Sequence, residues 1–397
     1  MRKPMRAASA AALLLVSLCA VPGAAAAGEP GPGASPAPLH RSADAVPGRY
    51  IITLKAGLSG TATAQKVAGV KPLFTYSSVF PGFAAQLDAV QLDAVRKLPG
   101  VEAVEEDAMA SATPVGDAKQ PFRATSSSWG LDRMDQPYLP LNNEIHVNGT
   151  GKGVTAYILD TGIEYGHSEF GGRAVFGFDA MGDGLKGADC NGHGTHVAGT
   201  VGGATYGVAR DVSLVSVRVL NCESKGTYSG IIAGMEWVAA NAKKPAVLNG
   251  SLGGPRSVAL NTAATALATA GVLPVVAAGN SAVDACGISP AGADRVVTVG
   301  ATDHADKETD FSNFGPCLWM YAPGVAITSA KLGGGSIAFN GTSMAAPHVA
   351  GVAALYQAEN PKATPEAVAA WLAEQSTKGA LTVSKGSPNR LLYTGGL

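Results

Sequence analysis

Apolar positions in this chain change their spacing along its length, and each change predicts an element. Residues 50–54, Tyr-Ile-Ile-Thr-Leu, predict a strand. Residues 62–68 are helix-compatible, and 73–87 hold two strand-like runs around Pro81-Gly82. Over 88–98 the apolar residues Val90, Leu92, Val95 and Leu98 fall at helical spacing, and 101–104 predicts a closing strand. A β-α-β-β-α-β order predicts a small ferredoxin-like α+β domain. Farther on, continuous Val/Ile/Leu runs predict strands at 154–159, 212–220, 246–248, 272–277 and 296–299. Helices are predicted at 231–242 and 259–270. Strands apolar on both faces, set between helices, predict a mainly parallel sheet covered on each side: a three-layer α/β domain.

The N-terminus changes this picture. Arg2, Lys3 and Arg6 precede an apolar run over 7–20, and small residues fill 24–27. The run is too short to span a membrane and predicts a cleaved secretory signal over 1–27, hence a secreted protein. Cys19 lies inside it, and the preceding Leu18 is not the small residue a lipid anchor wants. No other apolar stretch is long enough to span. Residues 28–47, rich in Gly, Pro, Ala and Ser, predict a flexible leader, and 108–127 read as a cut region.

Of 397 residues only 15% are charged, 51 are glycine, and the net charge is −1. That balance suits a loop-rich globular protein and points to neither nucleic acid nor an acidic membrane surface. Without Cys19 four cysteines remain: Cys190, Cys222, Cys286 and Cys317. In an exported chain they predict two disulfides, with three pairings open, and no C-x-x-C spacing suggests a metal.

Three segments carry chemistry. Asp160-Thr161-Gly162 follows a predicted buried strand. His193 lies in Asn191-Gly192-His193-Gly194-Thr195-His196-Val197-Ala198-Gly199. Ser343 lies in Gly341-Thr342-Ser343-Met344-Ala345-Ala346-Pro347-His348-Val349-Ala350-Gly351, where a glycine turn can open a helix and Pro347 is expected in its first turn. A carboxylate, an imidazole and a hydroxyl are the parts of a serine nucleophile machine. A lone Ser there is usually a helix cap and a lone His a structural group, and His196 is read as one. An esterase would want G-x-S-x-G with its histidine last, whereas His193 precedes Ser343. A non-catalytic binding protein would have lost one of the three residues or the donor to the oxyanion, and none is missing.

In wording and in the order Asp, His, Ser, these segments resemble the subtilisin-type serine proteases of the proteinase K and aqualysin branch. The resemblance covers about residues 48–395. It implies a serine endopeptidase with no catalytic cofactor, in which Ser343 attacks, His193 carries the proton, Asp160 orients His193 and Asn280 binds the oxyanion. It implies substrate walls at Lys225-Gly226-Thr227 and Ser251-Leu252-Gly253, with Ala278 and Gly279 beside a pocket for apolar residues. It implies bonds Cys190–Cys222 and Cys286–Cys317. A structural calcium is implied near Asp132, Asp135, Gln136 and Asn142, while Trp319 stands where a second calcium site has an aspartate. The partners implied are protein and peptide substrates and the chain's own propeptide, acting as chaperone and inhibitor; no nucleic acid or membrane partner is implied, and the enzyme would be a monomer. The expected organisation is a signal at 1–27, a leader at 28–47, an inhibitor-type propeptide at 48–110, a processing region at 111–127 and the catalytic domain at 128–397.

Overall fold

The structure is a computed structural model that describes residues 35–112, 129–384 and 386–397. The signal and most of the processing region lie outside those residues.

The N-terminal domain runs strand Ala45–Leu54, helix Gly60–Ala64, strands Pro72–Tyr76 and Gly82–Gln86, helix Ala89–Arg96 and strand Val101–Ser111. Across the sheet these four strands stand fourth, first, third, second, the ferredoxin-like arrangement. Each helix begins where a side chain caps it: Ser59 accepts from the Ala62 N–H, and Asp88 forms a capping box with Gln91. The first helix therefore starts at Gly60, two residues ahead of the predicted 62, and stops at Ala64. The described part of the leader, residues 35–47, carries structure that its composition does not predict. Leu39–His40 pairs parallel with Val104 and Glu105, and buried Ala37 exchanges hydrogen bonds with Arg96.

The second domain is built on a nine-stranded sheet. Its spatial order is Thr377–Lys378, Arg390–Leu391, Met320–Pro323, Val297–Thr302, Leu273–Ala277, Ala246–Gly250, Thr155–Asp160, Ser213–Arg218, Ala174–Asp179. All neighbours are parallel except the first pair. The strand Thr155–Asp160 shows why its sequence is apolar throughout. Ala156 and Ile158 pack into the core beneath helices His193–Gly202 and Thr342–Glu359, while Tyr157 and Leu159 pack beneath Tyr228–Asn241 and Val258–Thr269.

The ferredoxin-like sheet lays one face on that second pair of helices. Ile51, Tyr76, Phe80, Ala84 and Ala108 join one buried cluster with Ile231, Ile232 and Leu260. Its other face, Ile52, Phe83 and Val104, closes over its own helices.

Candidate active site

Asp160 is the last residue of its strand and is fully buried. Its Oδ1 accepts from the Thr161 N–H at 2.7 Å and lies 2.8 Å from His193 Nδ1. His193 is the first residue of its helix, whose cap is Gly192 at φ +106°, a conformation that favours glycine. Burial alone would lower the His193 pKa; the Asp160 carboxylate, by charge and by hydrogen bond, outweighs it and leaves the imidazole above its usual range. His193 Nε2 has no hydrogen-bond partner among the described residues.

Ser343 is the second residue of helix Thr342–Glu359 and 3% exposed. Gly341, at φ +147°, makes the turn into it. Ser343 Oγ donates to the Ser251 carbonyl at 3.3 Å, a long bond. Pro347 is not in the first turn, as its spacing suggested, but farther inside the helix. With no N–H at 347, the carbonyl of Ser343 lacks its usual helical donor, and Ser251 Oγ supplies one at 3.0 Å.

Asn280 follows the strand Leu273–Ala277. Its Oδ1 accepts from both the N–H and the hydroxyl of Thr342, at 2.9 and 2.8 Å, which directs the amide nitrogen toward Gly341. Ala278 is fully buried among Ala285, Ala291, Leu318 and Tyr321, so its side chain belongs to the core. Gly279, at φ +104°, lies against Asn313, where a Cβ would be 2.3 Å from the amide nitrogen. Leu252 is buried in the sheet–helix core.

The two segments read as walls enclose the end of the N-terminal domain. Its last strand, predicted to stop at 104, stays paired with Ala45–Leu54 through Ala108 and then reaches Ser111 on new partners. Met109, Ala110 and Ser111 pair antiparallel with Thr227, Gly226 and Lys225. On the other side Ser111 exchanges both backbone hydrogen bonds with Gly253. Ala112 then donates to the Ser224 carbonyl at 3.2 Å and accepts from Ser224 Oγ at 2.5 Å.

Three carboxylates, unremarked in the sequence, join the domains. Asp107 accepts from the N–H and hydroxyl of Ser229 in the first turn of one helix, at 2.9 and 2.6 Å. Glu105 accepts from Val258 and Ala259 N–H at the start of the next, both at 3.1 Å. In return Glu236 accepts from the backbone of Ser77, Ser78 and Val79. The signal was the period-2 placement of Glu105 and Asp107 on one strand face. Burial raises the Asp107 pKa against the Ser229 bonds and the Arg49 charge.

Cys190 is bonded to Cys222 and Cys286 to Cys317, with Cα separations of 5.0 and 5.3 Å. The first bond joins the loop before His193 to the wall segment, and Asn191 Nδ2 reinforces it at the Cys222 carbonyl, 2.8 Å.

Asp132 is buried; its Oδ2 accepts from Asn143 N–H, and Asp135 Oδ2 accepts from His146 N–H. Oδ1 of both is buried with no partner among the described residues, and burial raises both pKa values. Asn142 Oδ1 accepts from Glu144 N–H and Gln136 Nε2 donates to two carbonyls. Among the described residues no group of three or more His, Cys, Asp or Glu is arranged to hold a metal. Calcium also uses amide and backbone oxygens, so two orphaned carboxylate oxygens fit it. Trp319 instead packs on the core, donating to the Ala369 carbonyl with Arg390 over its ring.

A buried carboxylate at the carboxyl end of a parallel strand, an imidazole in contact with it and an extended segment paired between two edges fit a serine peptidase kept with its inhibitor domain. Residues 151–391 match the subtilase family, and 49–112 match the peptidase inhibitor I9 family. The chain belongs to the subtilase family and is a serine endopeptidase that carries its own propeptide. It is 49% identical to the alkaline serine exoprotease A of Vibrio alginolyticus over 82% of this chain and 60% of that protein. It is 41% identical to the extracellular serine proteinase of a Thermus strain over 96% of this chain and 97% of the other. A solved cold-adapted subtilisin-like serine proteinase superposes with a TM-score of 0.66 at 50% identity, covering 67% of this chain and 97% of that one. No described helix is long and apolar enough to cross a membrane.

Proposed function

We propose that this protein is a secreted endopeptidase of broad specificity in which Ser343, His193, Asp160 and Asn280 carry the reaction. Ser343 Oγ bonds to the scissile carbonyl carbon as its proton passes to His193 Nε2. Asp160 holds the imidazole by Nδ1 and stabilises the imidazolium. The oxyanion takes hydrogen bonds from Asn280 Nδ2 and the Ser343 N–H. Collapse expels the amine, which leaves with the proton from His193, and water then cleaves the acyl-enzyme by the same relay.

The observation that carries this reading is the seat of residues 109–112. An extended segment held by backbone bonds on both edges is how a substrate strand would bind with little demand on sequence. The buried Ala110 and Ala112 favour small or apolar residues before the cut. Signal 1–27, leader 28–47, propeptide 48–110, processing region 111–127 and catalytic domain 128–397 remain our division of the precursor. Asp132 and Asp135, with oxygens near Gln136 and Asn142, would hold a structural calcium that takes no part in the chemistry. We read the mature enzyme as an extracellular monomer that acts on proteins and peptides, independent of nucleic acid and membrane. Hydrolysis of casein against a short-chain ester, with Ser343→Ala beside the parent, tests the assignment. Ester cleavage without proteolysis would overturn it.

A further inference from the structure

Asp160 and His193 stand 33 residues apart, and their 2.8 Å contact must be held by something other than themselves. Asp189 is bound to both of their segments. Its Oδ1 accepts from Thr161 Oγ1 at 2.9 Å, and from Asn191 N–H and Gly192 N–H at 2.9 and 3.0 Å. Its Oδ2 accepts from Thr195 N–H and Oγ1 at 2.9 and 2.6 Å. One carboxylate thus takes five hydrogen bonds, one from the residue after Asp160 and two from the first turn of the His193 helix.

Thr161 closes the figure. Its hydroxyl accepts from Gly194 N–H at 2.9 Å while donating to Asp189, and its own N–H donates to Asp160 Oδ1. The two backbones touch here, since a Cβ on Gly194 would lie 2.2 Å from the Gly162 carbonyl oxygen. Behind them the buried Arg218 donates to the Thr161 carbonyl and reaches Cys190 Sγ, the sulfur next to Asp189. The helix cap Gly192 has no side chain of its own, so Asp189 serves that end of the helix from outside.

We propose that Asp189 is a positioning residue for the proton relay, clasping the strand end that carries Asp160 to the helix start that carries His193 through Thr161 and Thr195. The inference rests on the triad reading above. Asp189 contributes in two ways. It fixes the imidazole–carboxylate distance, where displacements near 1 Å cost up to ~10²-fold in rate. It also adds negative charge facing His193, whose other titratable neighbours are Asp160 and His196.

The test is steady-state kinetics on the mature enzyme self-processed from the full-length precursor, with active serines counted by burst titration. Asp189→Asn keeps the shape, removes the charge and puts an NH2 group where donors converge. We expect kcat to fall about 10–100-fold with KM nearly unchanged. Loss of an anion facing His193 should also move the acid limb of kcat/KM to lower pH. Thr161→Val should reproduce the kcat loss, and Thr161→Ser, which restores the hydroxyl, should recover it; this pair decides the matter if Asp189→Asn fails to mature. The proposal is overturned if Asp189→Asn turns over normally per titrated site with an unmoved acid limb, or if Thr161→Val matches Thr161→Ser. Ser343→Ala separates the layers: if it remains proteolytic the triad reading fails, whereas a dead Ser343→Ala beside a normal Asp189→Asn sinks only this inference.

Discussion

Ser111 and Gly253 exchange both of their backbone hydrogen bonds, Ser111 N–H to the Gly253 oxygen at 3.1 Å and Gly253 N–H to the Ser111 oxygen at 3.0 Å. With Lys225 on the opposite edge, the propeptide completes a three-stranded antiparallel unit inside the cleft. No side chain is needed for these bonds, so they fit any extended peptide. What distinguishes the propeptide from a passing substrate is its second attachment, through carboxylates on the two surface helices.

That attachment should be separable from cleft binding. Asp107→Ala removes both acceptors from Ser229, and hydrogen bonds to a charged group contribute about 1.5–3 kcal/mol. The released propeptide should then inhibit the mature enzyme roughly 10–100-fold less well, with turnover of small substrates unaltered. An unchanged inhibition constant would make the cleft strand alone responsible for retention.

Ser343→Ala should leave uncleaved precursor and lower kcat by ~10⁶-fold, the scale measured for the nucleophile of subtilisin. Asn280→Ala should lose only ~10²–10³-fold, because the backbone donor remains. Mature, active Ser343→Ala would refute the assignment of the nucleophile, and full turnover in Asn280→Ala would remove Asn280 from the oxyanion site.

The positions of Asp160, His193 and Ser343 were legible because each stands at a local boundary that the sequence marks: a strand end, a Gly-flanked helix start, a glycine turn. The long strand Val101–Ser111 was not legible. Its apolar pattern ends at Val104, and its last residues are held by main-chain partners more than a hundred residues away. Glu105 and Asp107 look like solvated acids until the helix starts they cap are in view. Ala278, read as pocket wall, has its side chain among Ala285, Ala291, Leu318 and Tyr321, a direction that sequence does not give, since it says where a strand ends and not which side its next residue takes. Pro347 shows the same limit: it falls just past the first turn of the helix rather than within it, and the displaced hydrogen bond went to Ser251.

Reduction should loosen the His193 loop. The bonds Cys190–Cys222 and Cys286–Cys317 close segments separated by 32 and 31 residues. Loops of that size contribute roughly 3–4 kcal/mol each in the chain-entropy account. Because Cys190 adjoins Asp189 and Cys222 lies two residues before Ser224, breaking the first bond should raise KM as well as lower the melting temperature. The Cys286–Cys317 bond, farther along the chain, should affect melting alone. Mass mapping of each singly reduced variant, Cys222→Ser and Cys317→Ser, with kinetics on both, checks this; equal effects on KM would contradict it.

Calcium should protect the mature enzyme against heat through Asp132 and Asp135. Each has one carboxylate oxygen spent on a backbone N–H and the other buried without a partner among the described residues. An ionised, unpaired oxygen in such a place is costly, and burial has accordingly raised both pKa values. A cation supplies the missing partner and stabilises the folded state in proportion to the logarithm of its concentration above Kd. Chelation should therefore lower the melting temperature at neutral pH, and Asp135→Ala should reproduce that loss while leaving kcat unaltered. Protons compete for the same oxygens. Since the folded pKa values are raised, the calcium-dependent increment should be full at neutral pH and fade as pH falls, starting above the ordinary carboxylate range near 4. Trp319 offers no oxygen, so Trp319→Ala should leave the calcium increment intact. A wild-type melting curve that ignores EDTA at neutral pH would remove calcium from the account of this protein and leave the peptidase chemistry untouched.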